Sequence, residues 1–123
     1  MISRVWIGWI MSALPVLFLL VDASMKLVKP AFVVAATVAL GYPESVIGPL
    51  GVVLLACTLL YIVPQTAFIG GILLTGYLGG AVATHVRVGN GLFSILLPVV
   101  LGVLLWGGLA LTDNRVAAVL RRA

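Results

Sequence analysis

The chain has 123 residues, of which 63% are hydrophobic and 8% are charged, and its mean hydropathy is +1.33. An ordinary soluble domain carries about a quarter of its residues as charges, and a disordered chain needs low hydrophobicity with high charge; both are excluded, and a small integral membrane protein remains. The net charge of +4 comes from Lys and Arg at segment ends, not on a basic face, which argues against nucleic acid as a partner and assigns these residues to orientation in the bilayer.

The first apolar run extends from about Val5 to Val21, behind Arg4, and ends in Asp22-Ala23-Ser24-Met25-Lys26. A basic start, an apolar stretch and small residues near Ala23 also suit a cleaved leader. The run is read as a retained membrane helix over about 5–25. Between Lys29-Pro30 and Gly41-Tyr42-Pro43-Glu44, the apolar stretch is too short to cross about 30 Å of hydrocarbon. It predicts a short interfacial helix over about 30–41, with Pro30 in its first turn and Gly41 stopping it. Three further crossings are expected, over about 46–63, 67–84 and 92–111. Pro64-Gln65-Thr66 joins two of them, and the segment from Val86 to Gly91 joins the next pair; connections this short make consecutive helices antiparallel neighbours. The tail, 112–123, carries Arg115, Arg121 and Arg122 and reads as a basic amphipathic surface helix. Fold class is therefore all-α: an antiparallel four-transmembrane-helix bundle with a short interfacial helix between helices one and two, the whole chain forming one bundle.

Four crossings put both termini on one side, together with Arg4, Arg115, Arg121 and Arg122, whereas Lys26, Lys29 and Arg87 lie on the other. The positive-inside bias makes the terminal side cytoplasmic, in a bacterial cytoplasmic membrane. Trp6, Trp9, Tyr61 and Trp106 fall near that same end of their helices, as an interfacial aromatic belt would.

Small residues recur on the third crossing: Gly76, Gly80 and Thr84 form one stripe, and Thr75, Gly79 and Ala83 the adjacent one. Such stripes let a neighbouring backbone approach closely. Packing against another helix of the same chain is the expectation, and a homodimer seam is the alternative. The ionisable groups are more informative. Asp22 and Lys26 end the first helix as an i,i+4 pair, Glu44 opens the second crossing, and His85 and Arg87 close the third, so the topology gathers all five on one membrane face. Interfacial snorkelling with a local ion pair explains them structurally. The functional alternative is a polar pocket at that mouth, where His85 is the group that changes protonation near neutral pH.

Tyr77 shares a helical stripe with Ala81 and His85, so a hydroxyl and an imidazole fall on one wall. Donors beside an apolar chamber suit a proton-coupled site for a quinone or similar lipophile. The structural alternative is a histidine hydrogen-bonded at the interface. A metal centre is not expected, because the chain offers one histidine, one cysteine and scattered carboxylates. The same short ligand supply argues against haem held by His85 and Met25. Cys57 has no CxxC partner, which rules out a thiol–disulfide relay within the chain and makes it a small core residue. No nucleotide loop, Ser-His-Asp arrangement or paired-carboxylate spacing occurs.

Several runs together resemble the DoxX-like family of small four-helix membrane proteins. They are Asp22-Ala23-Ser24-Met25-Lys26-Leu27, Leu40-Gly41-Tyr42-Pro43, the run from Leu59 to Thr66, and the run from Leu73 to Ala81 leading into His85-Val86-Arg87. The resemblance spans about Val5 to Leu111, and Asp22, Lys26, Gly41, Pro43 and the segment His85 to Arg87 are the matching positions. Many relatives carry an acidic residue within the second helix, where this chain reads Gly51-Val52-Val53-Leu54-Leu55-Ala56-Cys57-Thr58. The family takes its name from a membrane-bound thiosulfate:quinone oxidoreductase. Other relatives are associated with redox-stress complexes or, in animals, with assembly of membrane receptors. The resemblance thus implies an accessory subunit of a membrane oxidoreductase, binding a quinone or other lipophile at the polar cluster. Two alternatives stand beside it: a non-catalytic scaffold or chaperone for a client membrane protein, and a small-molecule transporter acting as a homo-oligomer.

Overall fold

The computed structural model describes residues 3–122. These form six α-helices: α1 (Arg4–Val28), α2 (Ala31–Ala39), α3 (Ile47–Ile62, entered through a 3-10 turn, Glu44–Val46), α4 (Ala67–Val88), α5 (Leu92–Thr112) and α6 (Asn114–Arg122). Four of them, α1, α3 with its leading turn, α4 and α5, are long and apolar enough to cross a membrane. At about 1.5 Å per residue, the 25 residues of α1 exceed the roughly 30 Å of hydrocarbon and leave its ends in the headgroup region.

The helices start and stop for local reasons. Ser3 caps α1 by accepting a hydrogen bond from the Trp6 N–H at 3.3 Å. The helix ends at Lys29, whose left-handed backbone (φ 59) lets its N–H reach the Met25 carbonyl. Gly89 (φ 73) stops α4 in the same way. The cap at Gly89 lies beyond His85 and Arg87, so the helix runs past the expected end at 84 and takes in Val86 to Val88, the start of the expected connection. Pro15 and Pro98 lie inside α1 and α5 and are buried.

The spanning helices pack in a ring, α1 against α3, α3 against α4, α4 against α5, and α5 back against α1. The register of close approaches makes each neighbouring pair antiparallel. A Cβ on Gly8, near the start of α1, would lie 2.7 Å from Thr112 at the end of α5. One on Gly51, early in α3, would lie 2.9 Å from Lys26, late in α1. Gly70 near the start of α4 sits against Tyr61 at the end of α3, and Gly71 sits against Trp106 and Leu109 late in α5. Close backbone approach is how membrane helices gain dispersion energy when lipid offers no hydrophobic drive. Gly8, Gly51, Gly70 and Gly108 supply it here. The expected packing stripe does not: a Cβ on Gly76, Gly79 or Gly80 would meet nothing within 4 Å. That stripe of α4 faces open volume, while Ala83 is exposed and Thr84 is buried by other partners.

The core is a column of apolar side chains along the ring axis, with Leu19, Leu54, Leu74 and Leu105 at 1% exposure or less. Cys57 belongs to it. So does Tyr61, which is buried and not part of an interfacial belt. Its hydroxyl donates to the Leu105 carbonyl at 2.5 Å and accepts from Ser12 at 2.9 Å, tying α3 to α5 and α1. Trp6 and Trp9 are exposed on the outer surface, and Trp106 donates from Nε1 to the Thr75 hydroxyl at 2.7 Å. Helix α6 folds back on α5 through buried Val116 and Ala117, leaving Arg121 and Arg122 exposed.

Candidate functional site

At the end of the bundle opposite the two termini, the ring surrounds a partly open chamber of about 470 Å³, with Phe93 on its wall 77% exposed. Its walls come from the C-terminal half of α1 (Leu19, Asp22, Lys26), the C-terminal half of α4 (Gly76, Tyr77, Gly80, Thr84, His85) and the N-terminal half of α5 (Phe93, Ser94, Leu97, Leu101). The chamber falls in the size range of small-molecule sites, roughly 300–1,000 Å³. Its volume has a sequence cause. Gly76 and Gly80, one turn apart on α4, present bare backbone where side chains would otherwise fill the space.

A strap, Lys29 to Pro43, containing α2 closes one side and contributes Thr37, Leu40 and Tyr42 to the lining. Two contacts hold it to α4. The Tyr42 hydroxyl hydrogen-bonds the Thr84 hydroxyl at 2.8 Å. Arg87 donates from Nη2 to the Leu40 carbonyl at 2.7 Å.

The polar groups of the lining are mostly committed. Lys26 pairs with Asp22 one turn back on α1, the Thr37 hydroxyl donates to the Val33 carbonyl at 2.8 Å, and Thr84 donates to the Gly80 carbonyl at 2.8 Å. Asn90 donates from Nδ2 to His85 Nδ1 at 2.7 Å, which leaves the imidazole proton on Nε2. Two hydroxyls have no partner among the described residues: Tyr77, set against the glycine wall, and Ser94 on α5. Both hydroxyls keep accessible surface, since no buried side-chain polar atom lacks a partner among the described residues, and they are free to bond a guest. Tyr77, Ser94 and His85 together offer hydrogen bonds to a guest whose remaining surface is apolar.

Four of the sequence's polar candidates, Asp22, Lys26, Tyr77 and His85, line this one cavity. Arg87 lies at its margin, with its guanidinium against Gly41 and Leu40. Glu44 is exposed at the head of α3 and does not reach the lining. Met25 is likewise exposed, and the structure does not bring it to His85. Among the described residues no group of three His, Cys, Asp or Glu is placed to hold a metal ion. Sequence reasoning missed Thr37, Tyr42, Thr84 as a hydrogen-bonding wall residue, and Ser94. The only signal for them is the Gly41-Tyr42-Pro43 turn, which cannot show that the strap folds under the bundle.

A second cavity of about 290 Å³ lies at the terminal end, lined by residues including Trp9, Ser12, Tyr61, Thr112 and Asp113. Its hydroxyl protons are spent internally, Ser12 on Tyr61, Tyr61 on the Leu105 carbonyl and Thr112 on the Gly108 carbonyl. Asp113 caps α6 by accepting the Arg115 N–H at 2.9 Å, and the Arg115 side chain bonded to it holds this carboxyl below the usual carboxylate range.

The fold and chamber define a small helical membrane protein with a polar-mouthed cavity at one end of a four-span ring. The chain belongs to the DoxX-like family, whose model matches residues 10–108. That match takes in every chamber-lining residue and stops short of α6. No curated protein and no solved structure matches the chain.

Proposed function

We propose that the chain binds a lipophilic molecule with a hydrogen-bond-accepting head, of which a quinone is the type, in the chamber between α1, α4, α5 and the strap, and serves a membrane oxidoreductase as an accessory subunit. The observation that carries the binding reading is the Tyr77 hydroxyl. It faces a chamber of about 470 Å³ and has no partner among the described residues. A carbonyl of the guest accepts from Tyr77, Ser94 or His85 Nε2, and its tail lies on Gly76, Gly80 and Leu101. The redox part rests on the family resemblance. The excess of arginine at the terminal end supports a cytoplasmic position for both termini, so the chamber opens on the outer side of a bacterial cytoplasmic membrane.

Binding is tested by titrating the purified protein in nanodiscs with decylubiquinone and following tryptophan fluorescence. Saturable binding is expected, and Tyr77→Phe weakens it about 5- to 10-fold, the value of one hydrogen bond. No saturable binding, or equal affinity in the variant, contradicts the reading.

A second reading, a scaffold for a client membrane protein or a second copy of the chain, is favoured by the outward groove between α4 and α5. There Gly79, Gly102 and Gly107 flank Trp106, and a helix would approach closely. Cross-linking from Gly79→Cys in native membranes to a second polypeptide supports it; repeated absence of any adduct counts against it. Transport ranks behind both. Between the two cavities Leu19, Leu54, Leu74 and Leu105 make an apolar layer that a polar solute would have to cross.

A further inference from the structure

We infer that the strap from Lys29 to Pro43 is a hinged side gate of the chamber, held against α4 by the Tyr42–Thr84 and Arg87–Leu40 hydrogen bonds; this rests on the reading of the chamber as a ligand site.

The strap is built to move as one piece. Its two ends carry left-handed backbone, Lys29 at φ 59 and Gly41 at φ 97. Lys29 is the one non-glycine residue with positive φ among the described residues, a conformation an L side chain adopts at a cost. Pro30 and Pro43 lie just beyond these points and stiffen what lies on either side. Between the hinges, α2 is a short apolar helix in which Thr37 alone is buried, while Phe32 and Val38 are 64% and 47% exposed. A segment with so little buried area draws little packing energy from the bundle.

What fastens it is polar and specific. The Arg87 guanidinium lies against Gly41, where a Cβ would sit 3.0 Å from Nη2, and donates to the Leu40 carbonyl. Gly41 thus serves both as hinge and as the seat of the latch. On the chamber side, Tyr42 is bonded to Thr84, whose own proton goes to the Gly80 carbonyl, so Tyr42 is the donor in that pair. The strap residues next to these latches, Leu40 and Tyr42, are themselves chamber wall. Releasing the latches removes that wall. Opening is then a rotation about two preset hinges, at a cost set by two hydrogen bonds instead of by core disruption.

The test needs no ligand. In a Cys57→Ser background, Leu97→Cys places one thiol inside the chamber, and its reaction with a water-soluble maleimide reports opening. Adding Tyr42→Phe with Arg87→Ala is expected to raise the labelling rate at least about tenfold, the population shift from losing two hydrogen bonds, one with a charged donor. A rate within about twofold of the latched protein overturns the gate. A parallel protein that keeps Cys57 as the lone thiol guards against unfolding, because labelling of that core cysteine marks a disrupted bundle. If the double variant fails that control, Tyr42→Phe alone decides: a rise of about threefold or more upholds the gate, and no rise overturns it. Decylubiquinone titration of the same proteins separates the two readings, since a chamber that binds no quinone leaves the labelling result standing.

Discussion

Tyr61 and Tyr77 lie on adjoining helices of the same apolar bundle and have opposite fates. Tyr61 spends its hydroxyl on the Leu105 carbonyl and Ser12 and is 4% exposed, so it knits three helices together. Tyr61→Phe is expected to destabilise the protein by about 1–2 kcal/mol, read as a lower midpoint of thermal unfolding in detergent, with quinone affinity unchanged. Tyr77→Phe is expected to show the reverse, unchanged stability with weakened binding. The glycines divide in the same manner. A methyl at Gly70 meets the Tyr61 backbone at 2.6 Å and forces α3 and α4 apart, which costs about 1–3 kcal/mol or more. A methyl at Gly76 or Gly80 meets nothing, and the helix gains the propensity of alanine over glycine. Gly80→Leu is therefore expected to leave the melting temperature near that of the parent while abolishing saturable quinone binding by filling the chamber. Loss of the fold in Gly80→Leu would show that the glycine packs after all.

At the level of elements, the lengths and order of the helices are legible in the sequence because apolar runs, prolines and glycines punctuate them locally. Element ends are less so. The third crossing is expected to end at about 84 and its connection to begin at Val86, yet the helix continues until Gly89 adopts the left-handed cap, since snorkelling side chains do not interrupt a backbone ladder. Tyr61 shows a different limit. An aromatic near a helix end fits an interfacial belt on position alone, and its partners lie 49 and 44 residues away, beyond any local signal. Helix α6 belongs to the readable part, a basic amphipathic tail, whereas its cap at Asp113 is shown only by the structure. The Arg115 side chain bonded to Asp113 depresses that carboxyl. A group with a lowered folded-state pKa stabilises above its unfolded pKa, about 4, and loses that contribution as pH falls through the lower folded value. Helix α6 is thus expected to keep full amide protection at pH 6 and to fray in acid, with Asp113→Ala, which removes the cap, already frayed at pH 6. Protection that is the same in both proteins at pH 6 contradicts this role.

For the molecule as a whole, the antiparallel ring brings Asp22, Lys26, Tyr77 and His85 to one chamber, a gathering the topology announces because both helices end on the same face. The far wall was not legible. Thr37, Leu40 and Tyr42 reach the site only because α2 turns back beneath the bundle, and no periodicity encodes that turn. On the proposed orientation, with the terminal end inside, Asn90→Cys, on the connection beside the chamber, is expected to react with an impermeant maleimide added outside intact cells. Reaction only after permeabilisation would invert the orientation.

The central claim, that the chamber holds a lipophile, is tested most directly by native mass spectrometry of the protein released from its own membranes in mild detergent. A stoichiometric small apolar adduct, lost in Gly80→Leu and diminished in Tyr77→Phe, is the predicted result. A parent protein that flies without any adduct, or one whose adduct survives Gly80→Leu undiminished, would contradict it.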